Sequence, residues 1–227
     1  FRREELFGDN LKSSRFPLLM KILDSKDDLS IQVHPPAQIA PLLGGSPKTE
    51  MWYIARALPG SKLYLGLRKG ITRGQFEEAI RSGSMENMIH SVEPRAGQSI
   101  FIPSGRLHAI GAGMLIYEIQ QNSDTTYRVF DWNRVGLDGR PRDLHVRESL
   151  ASIDFADYEP AMDQPKGQNL VTCRHFKVDF LELPTGATIC NPDPDRFSII
   201  TVTSGEIQDK RGTVYSTGDF LLLPRGP

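Results

Sequence analysis

The stretch Gly97-Gln98-Ser99-Ile100-Phe101-Ile102-Pro103-Ser104-Gly105-Arg106-Leu107-His108 decides the fold. It reads G-x5-P-x-G-x2-H. The first glycine permits a tight turn, apolar residues fill a short strand, and the proline ends it. Near the other end of the chain, GDFLLLPRG at 218–226 repeats the pattern without a following histidine. A turn-strand-turn unit that occurs twice predicts two related β-domains in tandem.

Outward from this stretch the chain keeps the same character. FPLLMKILD and LSIQVHP read as strands joined by the polar turn SKDD. A Pro/Gly-rich loop follows over residues 35–48. MWYIARAL and KLYLGL, with PGS between them, predict a hairpin. Thr72 predicts the cap of a helix that puts Phe76, Ala79 and Ile80 on one face. IHSVEP, QSIFIP, MLIYEIQQ and YRVFDW continue the strands, and HVRESLASI reads as a short helix. A Pro- and Asp-containing linker over 154–168 leads to a second strand-rich run: CRHFKVDFLEL, FSIITVTSG, GTVYS and DFLLLP. The expected class is mostly β, with tandem cupin-like jelly-roll domains and a few short helices. The expected division is 1–135 for a first domain with a short helical insert near 72–89, 136–168 for a helix and linker, and 169–227 for a second domain. Residues 1–16 are charged and poorly patterned, and read as a leading segment.

Bulk composition removes several classes. The chain has 227 residues, with 27 Lys plus Arg against 28 Asp plus Glu, so no net basic field draws it to nucleic acid or an anionic membrane. No apolar run approaches the roughly 20 residues that span a bilayer, and no signal-peptide pattern opens the chain. Cys173 and Cys190 lack zinc-site spacing and read as buried, reduced thiols, which predicts a cytoplasmic protein.

Four residues predict a metal site. Gln32 and His34 are two apart on a predicted strand, so their side chains share one face. Glu50 opens the next strand, and His108 follows the decisive turn. Two imidazoles, one carboxylate and one carboxamide inside a small barrel suit a single zinc ion, with open positions for substrate. His90, His145 and His175 lack such support and read as surface or structural residues. The second domain lacks an equivalent set and reads as metal-free.

These residues carry a resemblance. G-x5-P-x-G-x2-H is similar to the second motif of the cupin superfamily. SIQVHPP, PKTEMWYI, IPSGRLHAIGAG and YEIQQNSDTTYRVFDWNR together resemble the type I mannose-6-phosphate isomerase family in its compact bacterial form, over residues 15–155 above all. Generic cupins carry His-x-His where this chain has Gln32-x-His34; the glutamine is the isomerases' choice. The resemblance implies Gln32, His34, Glu50 and His108 as ligands of one Zn2+ per chain. It implies Lys48, Glu118 and Arg128 as catalytic residues, and Lys21 and Arg128 as substrate-binding ones. It implies interconversion of mannose 6-phosphate and fructose 6-phosphate through a cis-enediol, by a monomer or homodimer whose partner is a sugar phosphate. The same barrel and ligands also serve metal-dependent cupin dioxygenases, and non-catalytic cupins bind sugar phosphates. Gln32, a poor iron ligand, and the basic residues favour the isomerase.

Overall fold

A computed structural model describes residues 15–135, 139–165 and 167–226. The predicted leading segment over 1–16, as far as residue 14, and part of the polar turn after Val135 lie outside the described residues. The chain divides into two compact units, Pro17–Phe180 and Leu181–Pro227 with Phe1–Phe16.

The larger unit is built on two antiparallel sheets. Strands β1 (Leu18–Ser25), β2 (Ile31–Val33), β3 (Glu50–Ala57), β4 (Leu63–Leu67), β5 (Ile89–Val92), β6 (Ser99–Ile102), β7 (His108–Ile110), β8 (Met114–Gln121) and β9 (Tyr127–Phe130) are divided between them. One sheet has the order β1-β8-β3-β6, the other β5-β4-β7-β2-β9. Helix α1 (Arg73–Ser82) begins at Thr72 with a full capping box: the Thr72 hydroxyl accepts from the Gln75 amide, and the Gln75 side chain reaches back to the Thr72 amide. Helix α2 spans Val146–Ser152, and the hairpin β10 (Asn169–Thr172) and β11 (Lys177–Asp179) ends the unit.

Alternation assigns most strand residues to a face, with register shifts in the β2–β9, β3–β8 and β4–β5 pairs. Trp52 and Ile54 of β3, Leu63 and Leu65 of β4, Ile100 and Ile102 of β6, and Met114 and Ile116 of β8 meet between the sheets. Fully burying each such side chain contributes roughly 1.5–3 kcal/mol. The outer faces are covered as well. Ile31 and Val33 of β2 and Ala109 of β7 pack under Phe76 and Ala79 of α1. Met51 and Ile119, facing away from the barrel, pack with Phe176 beside the β10–β11 hairpin. Sheets buried on both sides explain why runs such as MWYI are apolar at every position.

The predicted hairpin over MWYIARAL and KLYLGL does not form. β3 pairs with β6 and β8, whereas β4 pairs with β5 and β7. The Leu58–Ser61 turn therefore carries the chain from one sheet to the other, as a jelly roll requires. The predicted strand from Cys173 is shorter than expected: the chain turns there, and the Cys173 amide donates back to the Phe176 carbonyl.

In the smaller unit, β12 (Ser198–Thr201) pairs with β15 (Phe220–Leu223), and β13 (Glu206–Gln208) with β14 (Val214–Ser216), both antiparallel. The repeated turn is visible in the backbone. Gly97 and Gly105 have φ of 87° and 93°, and their counterparts Gly218 and Gly226 have 99° and 115°, a region that favours glycine.

Candidate metal centre and active site

The inward face turns polar at one end of the barrel. The alternation that supplies Met114 and Ile116 to the core supplies Glu118 and Gln120 two and four residues later. Gln32 sits directly across from His108 in the β2–β7 pair and from Arg128 in the β2–β9 pair. Glu50 sits across from Gln120, and Glu118 from both Lys21 and Trp52. Every residue expected at the site except His34 and Lys48 is thus fixed by strand position; His34 directly follows β2, and Lys48 lies in the loop that enters β3. Ser104 donates to the Lys48 carbonyl at 2.9 Å, and the Thr49 amide donates to the Gln121 side chain at 2.9 Å.

His34, Glu50 and His108 are buried to within 1%. Each imidazole directs Nδ1 at a main-chain carbonyl: His34 at Thr125, His108 at Arg106, both at 2.9 Å. A carbonyl only accepts, so Nδ1 carries the proton and Nε2 is the position aimed at the centre. There the two Nε2 atoms each lie 3.4 Å from a different oxygen of Glu50. His34 Nε2 and both Glu50 oxygens are fully buried without a hydrogen bond. Lys48 Nζ lies 3.0 Å from Glu50 Oε2 as a charge contact that lacks hydrogen-bond geometry.

The electrostatics follow from this packing. Burial first, then His34 beside it, hold the His108 imidazole down to about 3, so it is neutral at physiological pH. Burial opposes charge on Glu50, but His34 foremost, then His108 and Lys48, outweigh it and keep the carboxyl well below its usual range.

Three buried ligand atoms without a hydrogen bond, His34 Nε2 and both oxygens of Glu50, converge with His108 Nε2, and together they fit a divalent cation. Ligand atoms on a tetrahedral zinc with bonds of about 2.1 Å stand about 3.4 Å apart, the separation seen between Glu50 and each histidine. The ligand atoms of the three residues all lie within 4.8 Å of one another. Gln32 Nε2 lies 3.2 Å from His108 Nε2, so the carboxamide borders the same point. Turning that amide over would present its oxygen.

A second cluster adjoins the first. Trp52 packs edge-on to the His108 ring at 5.5 Å and donates from Nε1 to Glu118 Oε2 at 3.1 Å. Lys21 Nζ donates to Glu118 Oε1 at 2.8 Å and to Gln120 Oε1 at 2.6 Å. Gln120, fully buried, and Trp52 were not singled out in the sequence; alternation along MLIYEIQQ was the signal for Gln120. Arg128 is set apart: its Nη1 donates to the Asp143 carbonyl at 2.9 Å. His145 serves the backbone, accepting from the Arg128 amide at 3.2 Å.

Fold and site define a cupin-type barrel with a buried histidine–glutamate–histidine centre able to hold a metal ion. Comparison with known proteins narrows this class. The family model for the phosphomannose isomerase type I catalytic domain matches residues 2–51. Mannose-6-phosphate isomerase of Streptococcus mutans is 44% identical over 230 residues, covering 97% of this chain and 72% of that protein. The crystal structure of mannose 6-phosphate isomerase from Bacillus subtilis superposes with a TM-score of 0.82 at 29% identity, over 98% of this chain and 74% of that one. A mannose 6-phosphate isomerase crystallised with zinc and yttrium shares the fold, with a TM-score of 0.61 at 14% identity over 98% of this chain and 78% of that one. The chain belongs to the type I mannose-6-phosphate isomerase family. Among the described residues, no helix is long and apolar enough to cross a membrane.

Proposed function

We propose that this isomerase interconverts mannose 6-phosphate and fructose 6-phosphate by moving a proton between C2 and C1 through a cis-enediol, with one zinc held by Gln32, His34, Glu50 and His108. The observation that carries the reading is the meeting of two imidazole Nε2 atoms with one buried carboxylate at 3.4 Å, in a chain of this family. Zinc at that point would supply Lewis-acid stabilisation of negative charge on the substrate oxygens, an effect of several kcal/mol.

The remaining work falls to the chain. A base removes the C2 proton of the open aldose, electrons move into a C1–C2 double bond, and O1 gains a proton. The same proton is then delivered to C1 while O2 loses its own, leaving the ketone. Lys48 is the favoured carrier. It is buried, held within 3.0 Å of the ligand set, and backed by a pinned loop. Glu118 has both oxygens committed, to Lys21 and to Trp52, which suits it to orienting rather than shuttling. Lys21, whose side chain is 36% exposed, and Arg128 are assigned to the anionic substrate. The region 1–135 is read as catalytic, 136–168 as helix and linker, and 169–227 as a metal-free second domain. Cys173 is half-buried and Cys190 exposed, not buried as the sequence reading expects; both are free thiols, in keeping with a cytoplasmic protein, which is read as a monomer or homodimer.

The test is coupled detection of fructose 6-phosphate with elemental analysis of the same sample. Chelation is expected to remove zinc and turnover together, and added zinc to restore both. His108→Ala should lose both, and Lys48→Met should keep the metal and lose turnover. Full activity in verified metal-free protein, or in Lys48→Met, would reject the corresponding assignment.

A further inference from the structure

The Lys21 ammonium has an unusual neighbour. Gln120 lies across from Glu50 on the inward face and is fully buried. Its Nε2 donates to the carbonyls of Gln121 at 2.9 Å and Ser123 at 3.1 Å. Carbonyls only accept, so these contacts fix which end of the carboxamide is nitrogen and leave Oε1 facing the barrel. That oxygen accepts from Lys21 Nζ at 2.6 Å, while Glu118 Oε1 accepts at 2.8 Å. Glu118 is itself held by Trp52 Nε1.

A lysine ammonium has three N–H groups. Two are spent on acceptors whose own positions are locked by buried partners, and locking two directions fixes the third. A free lysine side chain surrenders much rotamer entropy to bind an anion; this one has surrendered it beforehand. The charge also matters. Lys21 and Glu118 cancel, and a neutral carboxamide as the second acceptor leaves the pair without net negative charge. A carboxylate there would confront an anionic substrate with an uncompensated charge.

We propose that Gln120 is a positioning residue for substrate affinity: it orients the remaining N–H of Lys21 toward the sugar phosphate and keeps the cluster electrically neutral. The inference rests on the reading of Lys21 as a substrate contact. Gln120 acts through Lys21 and does not touch the reacting carbons.

The experiment is a double-mutant cycle on the full zinc-loaded enzyme, with KM and kcat for mannose 6-phosphate and zinc content measured for each member. Gln120→Met removes the acceptor at similar volume. Gln120→Glu keeps an acceptor and adds a charge. Each is made alone and with Lys21→Met. Gln120→Met is expected to raise KM about tenfold, the effect of one misdirected charge-assisted hydrogen bond, with a much smaller fall in kcat and zinc retained. Gln120→Glu should raise KM at least as far. With Lys21→Met already present, Gln120→Met should change KM less than twofold, whereas Gln120→Glu, whose charge repels the anion directly, should still raise it. A KM unchanged by Gln120→Met, or raised equally with and without Lys21, overturns the inference. If Gln120→Met does not fold, Gln120→Asn, which keeps the amide but is one methylene too short to reach Lys21, applies the same criterion. If Lys21→Met alone leaves KM unchanged, the substrate-contact reading has failed, a result distinct from failure of the positioning role.

Discussion

Removing the acid of the Lys48–Glu50 pair should cost the metal-free protein more than removing both partners. Glu50 is fully buried and Lys48 is 5% exposed, with Nζ 3.0 Å from Oε2. Taking away the acid by Glu50→Gln leaves a buried ammonium whose nearest counter-charge is gone. Breaking a buried pair in this way costs about 3–5 kcal/mol. For a chain of this size that is a fall of roughly 6–20 °C in Tm. Lys48→Met costs less, about 1–2 kcal/mol, because a stranded Glu50 can take up a proton and direct it at an imidazole Nε2 3.4 Å away. In the double variant no charge is stranded, and the loss should be smaller than for Glu50→Gln alone. The coupling energy is then about 3 kcal/mol. The assay is urea unfolding of the four proteins in excess chelator at neutral pH, compared at constant m-value. Single losses that sum to the double loss within about 0.5 kcal/mol would refute the argument that the two charges depend on each other.

Further outcomes follow from the same geometry. Metal-free protein should be acid-labile: His108 titrates near 3 when folded against 6.5 when unfolded, so the unfolded chain binds the extra proton and stability falls as pH drops below 6.5 toward 3, by about 1.4 kcal/mol per pH unit. Glu50, held below its ordinary 4.5, adds to the loss as pH falls below that value. Urea midpoints that are flat between pH 7 and 4 would contradict this. Gly45→Ala places a Cβ 2.7 Å from Thr125 Cγ2 and 3.0 Å from Tyr127 Oη, displacing the residue whose carbonyl holds His34. Zinc affinity should fall about tenfold in a chelator competition, and an unchanged affinity would show that the loop yields without moving Thr125. Arg106→Lys loses a two-pronged contact with Asp157, at 2.9 Å on each arm, and should cost about 2 kcal/mol in a thermal melt. Its effect on zinc affinity should be small, because His108 uses only the main-chain oxygen of residue 106.

Much of the site was legible because strand periodicity is simple. Two positions apart along an extended chain share a face, so Gln32 in β2 and His34 just beyond it point together, and the glycine–proline turn places His108 at the head of β7. Glu50 was legible as the first residue of an apolar strand. Gln120 was obscured by its neighbour: in Gln120–Gln121 only the register of β8 tells which glutamine looks inward. The partners of β3 and β4 were hidden for a different reason. Both sheets are covered on both faces, so hydrophobicity no longer distinguishes inside from outside and adjacency in sequence suggests pairing that tertiary packing overrides. Short strands such as β7 and β13, three residues each, hold too few residues to show a period. Lys48 was legible only through the resemblance, because strand periodicity says nothing of a loop residue, and the hydrogen bonds that hold its loop are not written in the pattern.

The oxygens that steady His34 and His108 belong to the peptide backbone of residues 125 and 106. No change of codon at either position can delete them. Variation in the outer layer of this centre therefore has to act through the path of the chain, and a designer wishing to retune the metal must reshape a loop rather than exchange a side chain.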